Sequence, residues 1–168
     1  MKKFVVFIFL FSIGALSAQD ILNPKFEKRL SKLLDHDVSE LSVVDLYERG
    51  TTNYLLIDTR EKEEYDISHI PGARYVGYKK FSLESLSEVK KEMPIVVYCS
   101  VGYRSEKITQ QLVKAGYTNV HNLLGSIFEW ANRSYPLVDL QNNETKRLHT
   151  YNKKWSQWVD HPKIEKIW

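Results

Sequence analysis

A second cysteine is missing: Cys99 is the only one in 168 residues. An intramolecular disulfide is therefore excluded, and the lone thiol calls for another explanation than stapling. An apolar run of the roughly 20 residues that a membrane helix needs is also missing; the longest stretches from Phe4 to Ile13. No basic stripe exists either, because Lys and Arg alternate with Glu and Asp along the chain, which argues against nucleic-acid binding. His36, His69, His121, His149 and His161 lack metal-ligand spacing. Neither a metal site nor a cofactor is expected.

What is present begins with a leader. Lys2-Lys3 precede the apolar run, and Gly14-Ala15-Leu16-Ser17-Ala18 lead into the polar Gln19-Asp20. This order of positive, apolar and small residues marks residues 1–18 as a secretory signal peptide, cut after Ser17 or Ala18. A retained N-terminal membrane anchor is the alternative. No cysteine follows the run, which argues against a lipoprotein. Losing Lys2 and Lys3 takes the 24 basic residues to 22 against 21 acidic ones, so the mature chain is nearly neutral. The expectation is an exported protein, periplasmic or secreted, free of the membrane after cleavage.

Phe26, Leu30, Leu33 and Leu34 fall at helical spacing, with Lys25, Glu27, Lys28, Arg29 and Lys32 opposite, and predict an N-terminal amphipathic helix over residues 25–40. Ser42-Val43-Val44 fits a short strand or a helix entry, and Val44 to Arg49 a helix ended by Gly50. Leu55 to Ile57, Ile95 to Tyr98 and Val120 to Leu123 are continuous apolar runs suited to strands buried on both faces, and Ala73 to Val76 is a fourth candidate. Helices are predicted at Leu83 to Lys91, Ser105 to Ala115 and Ser126 to Asn132. Alternating strands and helices indicate a three-layer α/β fold with a central, mainly parallel sheet flanked by helices. In such folds ligands sit beyond the carboxyl ends of strands. Asp58, Arg60 and Cys99 all fall there.

The stretch Cys99-Ser100-Val101-Gly102-Tyr103-Arg104-Ser105 joins a buried strand to a helix. Its successive backbone N–H groups can curl around one point, and the helix start adds partial positive charge. Arg104 supplies a full charge, and Gly102 allows backbone angles that other residues resist. Such a field lowers a thiol pKa from about 8.5 by stabilising the thiolate. The loop is thus a candidate nucleophile, Cys99, with a candidate anion site formed by Ser100, Val101, Gly102, Tyr103, Arg104 and Ser105.

Three blocks in order resemble the rhodanese-like domain family: Ile57-Asp58-Thr59-Arg60 with Glu64-Tyr65 and His69-Ile70-Pro71-Gly72-Ala73; the loop from Cys99 to Ser105; and Leu124-Gly125-Ser126-Ile127 with Trp130 and Pro136. The resemblance covers residues 41–138 and leaves 139–168 as an aromatic-rich extension. The family often carries two glycines where this chain has Gly125-Ser126, and a glycine where it has Ser134-Tyr135. The resemblance implies a rhodanese-like fold and a sulfurtransferase that moves sulfane sulfur from a donor such as thiosulfate, through a Cys99 persulfide, to a thiol or cyanide. A protein acceptor of the persulfide is a further implied partner. It also places Asp58 near the loop and pairs Arg60 internally, with Glu64 as the partner, both supporting the site without touching substrate. His69 is read as satisfying backbone groups beside Pro71-Gly72.

Two other functions stay open on the residues alone. One is a phosphatase or arsenate reductase, against which the Cys99 to Arg104 spacing is one residue short of the phosphatase pattern. The other is a low-turnover persulfide carrier or binding module. In the extension, the spacing of Tyr151, Trp155 and Trp158 predicts one face of a helix packed back on the domain. Asn132 and Asn143 match glycosylation triplets.

Overall fold

The computed structural model describes residues 20–168; the leader assigned to residues 1–18 lies outside them. In chain order the elements are α1 (Pro24–Leu30), β1 (Glu40–Leu41), α2 (Val43–Arg49), β2 (Leu55–Asp58), α3 (Lys62–Ile67), β3 (Arg74–Tyr75), β4 (Ile95–Tyr98), α4 (Tyr103–Lys114), β5 (Val120–Leu123), α5 (Ser126–Asn132), β6 (Arg147–His149) and β7 (Glu165–Ile167). The first five strands form a sheet in the order β1-β5-β4-β2-β3, every adjacent pair parallel.

The continuous apolar runs are explained by this sheet. All four residues of β4 are fully buried because it is central and covered on both faces. Alternation splits its side chains: Val96 and Tyr98, with Leu56 of β2, join Phe26, Leu30, Leu46, Phe128 and Trp130 in one core. Ile95 and Val97, with Ile57, join Leu86, Ile108 and Leu112 in the other. Helices α1, α2 and α5 therefore cover one face and α4 the other, giving the expected three layers.

Several predicted boundaries move, each for a local reason. Asn23 caps α1 by accepting the N–H groups of Lys25 and Phe26, with Pro24 in the first turn. The helix stops at Leu30 rather than running through 25–40. Beyond it, buried Glu106 accepts the N–H of Asp35 at 3.1 Å and of His36 at 2.9 Å, which takes those amides out of helical bonding. The predicted helix at Leu83 to Lys91 is a single 3₁₀ turn, Leu83–Leu86. Serine side chains there bond the nearby backbone, Ser85 Oγ to the Ser82 carbonyl at 2.7 Å, and the Tyr117 hydroxyl takes the Leu86 carbonyl.

The extension departs furthest from expectation. Tyr151, Trp155 and Trp158 do not share a helix: Tyr151 has φ 65°, and only Ser156–Trp158 forms a 3₁₀ turn. Helical spacing is present, but left-handed backbone at Tyr151 breaks the repeat. The segment does pack back on the domain. Trp158 stacks on Phe26 of α1 with centroids 5.5 Å apart, and β6 pairs in parallel with β7. Asn132 donates from its amide to the Trp158 carbonyl and accepts the Asp160 N–H. Its amide nitrogen is thus committed inside the fold, against glycosylation.

Phe26 is fully buried and carries the stack that docks the extension. Phe26→Ala is expected to cost about 3–5 kcal/mol. Urea unfolding followed by tryptophan fluorescence measures it.

Candidate active site

The end of β4 delivers Cys99, and the first turn of α5 holds it there. The N–H groups of Ile127 and Phe128 bond the carbonyls of Cys99 (3.2 Å) and Ser100 (3.1 Å). The Cys99 N–H donates to Ser126 Oγ at 3.2 Å. The serine at this position thus supplies an acceptor that a glycine could not. Ser126 takes φ 51° and Ser134 φ 62°, conformations costly for a residue with a side chain. At Ser126 the hydroxyl bond to Cys99 offsets part of that cost. Its neighbour Gly125, φ 71°, has no such freedom: a Cβ would lie 2.6 Å from Ile21 Cδ1 and 2.7 Å from Glu129 Cβ.

The loop then turns back on the sulfur. Gly102, at φ 117°, donates its N–H to Cys99 Sγ at 3.1 Å. Its carbonyl is held by Asn122 Nδ2 at 3.2 Å and by the N–H of Glu106 at 2.9 Å, while Ser105 Oγ donates to Asn122 Oδ1 at 2.6 Å. Helix α4 therefore starts at Tyr103, two residues before the predicted Ser105, and Ser105 is a buried prop. Cys99 is 1% exposed. Burial pushes its pKa up, but the Arg104 charge and hydrogen bonds from Ser105 and Gly102 outweigh it, and the thiol titrates below an ordinary cysteine.

Arg104 is not left to the anion alone. Its Nη1 lies 2.6 Å from Glu64 Oε2 and its Nη2 2.8 Å from Glu64 Oε1, a two-pronged pair. Ser100 Oγ joins the cluster, donating to Glu64 Oε1 and accepting from Arg104 Nη2, each at 2.9 Å. Burial pushes the Glu64 carboxyl up, yet Arg104, with the charge of Arg60, draws it down to about 2. The expected pairing of Arg60 with Glu64 is corrected here. Arg60 pairs instead with Asp58, Nη2 to Oδ2 at 2.7 Å, both side chains 0% exposed. The Arg60 N–H also donates to Asp58 Oδ1 at 2.8 Å, a tight local turn that commits the guanidinium to its near neighbour. Its Nη2 reaches the Ser68 carbonyl as well. Asp58 sits opposite Tyr98, one residue before Cys99, so this pair braces the strand ends beneath the loop. His69 satisfies backbone groups, but not those beside Pro71-Gly72: it exchanges backbone bonds with Val138 and places Nδ1 3.1 Å from the Tyr65 carbonyl.

A cavity of about 420 Å³ opens over the loop. Cys99, Ser100, Val101, Tyr103 and Arg104 line it from the predicted set, while Gly102 and Ser105 stay behind the sulfur. The far walls were not foreseen: Leu33 from the chain after α1, Tyr78 and Lys79 after β3, and Tyr151 and Trp155 from the extension. Their richness in aromatics was visible in the sequence; their position was not. Among the described residues, no group of three or more His, Cys, Asp or Glu side chains could hold a metal. A buried nucleophile with a lowered pKa, facing a partly apolar cavity, is suited to covalent attack on a small electrophile.

Two measurements check these assignments. A carboxyl lowered on folding stabilises the protein fully above the ordinary value of 4.5, and that contribution is lost as pH falls through about 2. The stability gap between wild type and Glu64→Gln in urea unfolding is therefore expected to be full at about pH 6 and to shrink at about pH 2.5. Neutralising Glu64 also removes a negative charge beside the sulfur, whereas Arg104→Gln removes the positive one. The pH midpoint of Cys99 alkylation should fall in the first variant and rise in the second, each by about 1 unit.

Known proteins resemble this chain in sequence and fold. The rhodanese-like domain family model matches residues 42–133. The thiosulfate sulfurtransferase GlpE of Coxiella burnetii is 28% identical over 106 residues, covering 63% of this chain and 95% of its own length. A sulfurtransferase of Allochromatium vinosum is 33% identical over 103 residues, covering 60% and 95%. Among solved structures, a rhodanese-related protein from Thermoplasma volcanium superposes with a TM-score of 0.54 at 26% identity, covering 60% of this chain and 97% of that one. The matched segment begins just before α2 and ends just after α5, so it takes in Glu64, the Cys99 loop and Ser126 but neither Leu33 nor Tyr151 and Trp155. With over half of its length matched, sheet and cysteine loop included, this chain belongs to the rhodanese-like domain family.

Proposed function

We propose that the protein is an exported sulfurtransferase that carries sulfane sulfur as a persulfide on Cys99. The observation that carries the reading is the Cys99 sulfur itself, which accepts the Gly102 N–H at 3.1 Å, lines the cavity and titrates below the ordinary thiol value. Relatives named as sulfurtransferases support it, and the leader pattern of residues 1–18 supports export.

In the first half-reaction the Cys99 thiolate attacks the outer sulfur of a donor such as thiosulfate. The donor S–S bond breaks, its electron pair leaves with sulfite, and Cys99 retains the sulfur as a persulfide anion. In the second, cyanide or a thiol attacks that outer sulfur and the Cys99 thiolate is regenerated. No net oxidant is required, and the two steps predict ping-pong kinetics. The protein's part is to keep a negative sulfur stable in a buried place. The Gly102 N–H and the Arg104 charge do so in both states, and charge-assisted bonds of this type are worth ~1.5–3 kcal/mol each.

The phosphatase reading receives less support. The Cys99 to Arg104 spacing, one residue short of the phosphatase pattern, is the point against it.

Protein mixed with thiosulfate is expected to gain one sulfur atom by intact mass, and to lose it on addition of cyanide. Cys99→Ser should gain none. An unchanged mass for the wild type with thiosulfate and with organic sulfane-sulfur donors alike would sink the proposal, and release of phosphate from an aryl phosphate by a Cys99-dependent route would replace it.

A further inference from the structure

We propose that the C-terminal extension is the specificity element of the site: Tyr151 and Trp155 select a sulfur donor that carries a flat, apolar organic arm on the sulfur atom to which its sulfane sulfur is bonded. This rests on the sulfurtransferase reading and names the substrate class for it.

The first observation is where the wall comes from. Tyr151 and Trp155 lie outside the matched family segment of residues 42–133, yet both line the cavity that holds Cys99. They are fixed there by dedicated contacts. The Tyr151 N–H donates to His149 Nδ1 at 3.2 Å, and the Tyr151 backbone takes a left-handed φ of 65°. Arg104 lies 5.4 Å from the Tyr151 ring centroid, so the ring touches the same guanidinium that faces the sulfur. Trp155 is anchored through its N–H to Asn152 and carries Arg29 over its ring at 5.5 Å. Leu33 continues the apolar surface, held by the chain turn that Glu106 captures.

The second observation is charge. Of the described residues lining the cavity, the cations are Arg104 and Lys79, and each faces a carboxylate: Arg104 that of Glu64, Lys79 that of Glu61 at 3.5 Å. A thiolate beside these two pairs leaves the lining one negative charge in excess, Arg29 standing outside it over the Trp155 ring. A small inorganic dianion gains little there, while a singly charged or neutral organic donor loses less on entry. The volume agrees, since about 420 Å³ lies in the range of sites for small organic molecules of ~300–1,000 Å³. Organic thiosulfonates and organic persulfides share the required chemistry. With a thiosulfonate, Cys99 takes the outer sulfur and an organic sulfinate leaves with the electron pair of the broken S–S bond. With a persulfide, an organic thiolate leaves in the same way.

The test uses donors that differ only in the arm. Benzenethiosulfonate and methanethiosulfonate carry the same charge and the same transferable sulfur. Persulfide formation on the full mature chain is followed by intact mass under single turnover, as rate against donor concentration. The wild type is expected to prefer the aryl donor by roughly tenfold. Tyr151→Ala and Trp155→Ala are each expected to reduce that preference by at least about threefold, mainly through weaker apparent binding. Tyr151 is 52% exposed, so its variant tests the idea even if loss of Trp155 disturbs folding. Aryl hydropersulfide against alkyl hydropersulfide, run in the same way, tells which source of organic sulfur the wall prefers. Equal rates for both arms in the wild type, or a preference that both variants leave intact, would overturn the proposal. Persulfide from no donor at all would overturn the sulfurtransferase reading beneath it.

Discussion

A sulfur anion in a buried place is unfavourable, and most of the architecture around Cys99 opposes that cost. The Gly102 N–H points at the sulfur, and Arg104 sets a positive charge beside it. Each of these depends on something else. Gly102 can aim its amide because its carbonyl is held by Asn122 of β5 and its backbone lies at φ 117°. Arg104 keeps one orientation because Glu64, on α3, grips both of its prongs. The parallel pairing of β2 with β4 is what brings α3 and the cysteine loop to the same sheet edge. Without the Gly102 amide or the Arg104 charge the thiol reverts toward a neutral, poorly reactive group.

The fold was legible because its signal is local. Runs such as Ile95 to Tyr98 are apolar throughout, a pattern that strands buried on both faces require and few other settings allow. The loop was legible for the same reason: nucleophile, glycine and cation all fall within seven residues. Pairings across the chain were not. Arg60 and Glu64 are close in sequence, yet Arg104 is the partner of Glu64 from 40 residues away. Local chemistry decides the matter, since Asp58 lies two residues before Arg60 and captures both its backbone and its side chain. Ser126 illustrates a third case. A serine in left-handed backbone reads as a departure until the amide it receives from Cys99 is seen.

The extension misled for a physical reason. Aromatic spacing reports which residues would share a face if the backbone were helical, and says nothing of whether it is. Here side chains claim the amides first. His149 takes the N–H of Tyr151 and Asn152 that of Trp155, so the chain coils tightly and turns its rings to different places. One ring, Trp158, serves the core on Phe26, and two face the cavity.

The solitary thiol has a kinetic meaning as well. A chain with a neighbouring cysteine could discharge a loaded sulfur onto itself, closing a disulfide and releasing sulfide. Here no such exit exists, because Cys99 has no companion. On the proposed persulfide chemistry, a sulfur placed on it leaves only when an outside nucleophile passes the walls of the cavity, and the residence time of the cargo is then set by the doorway.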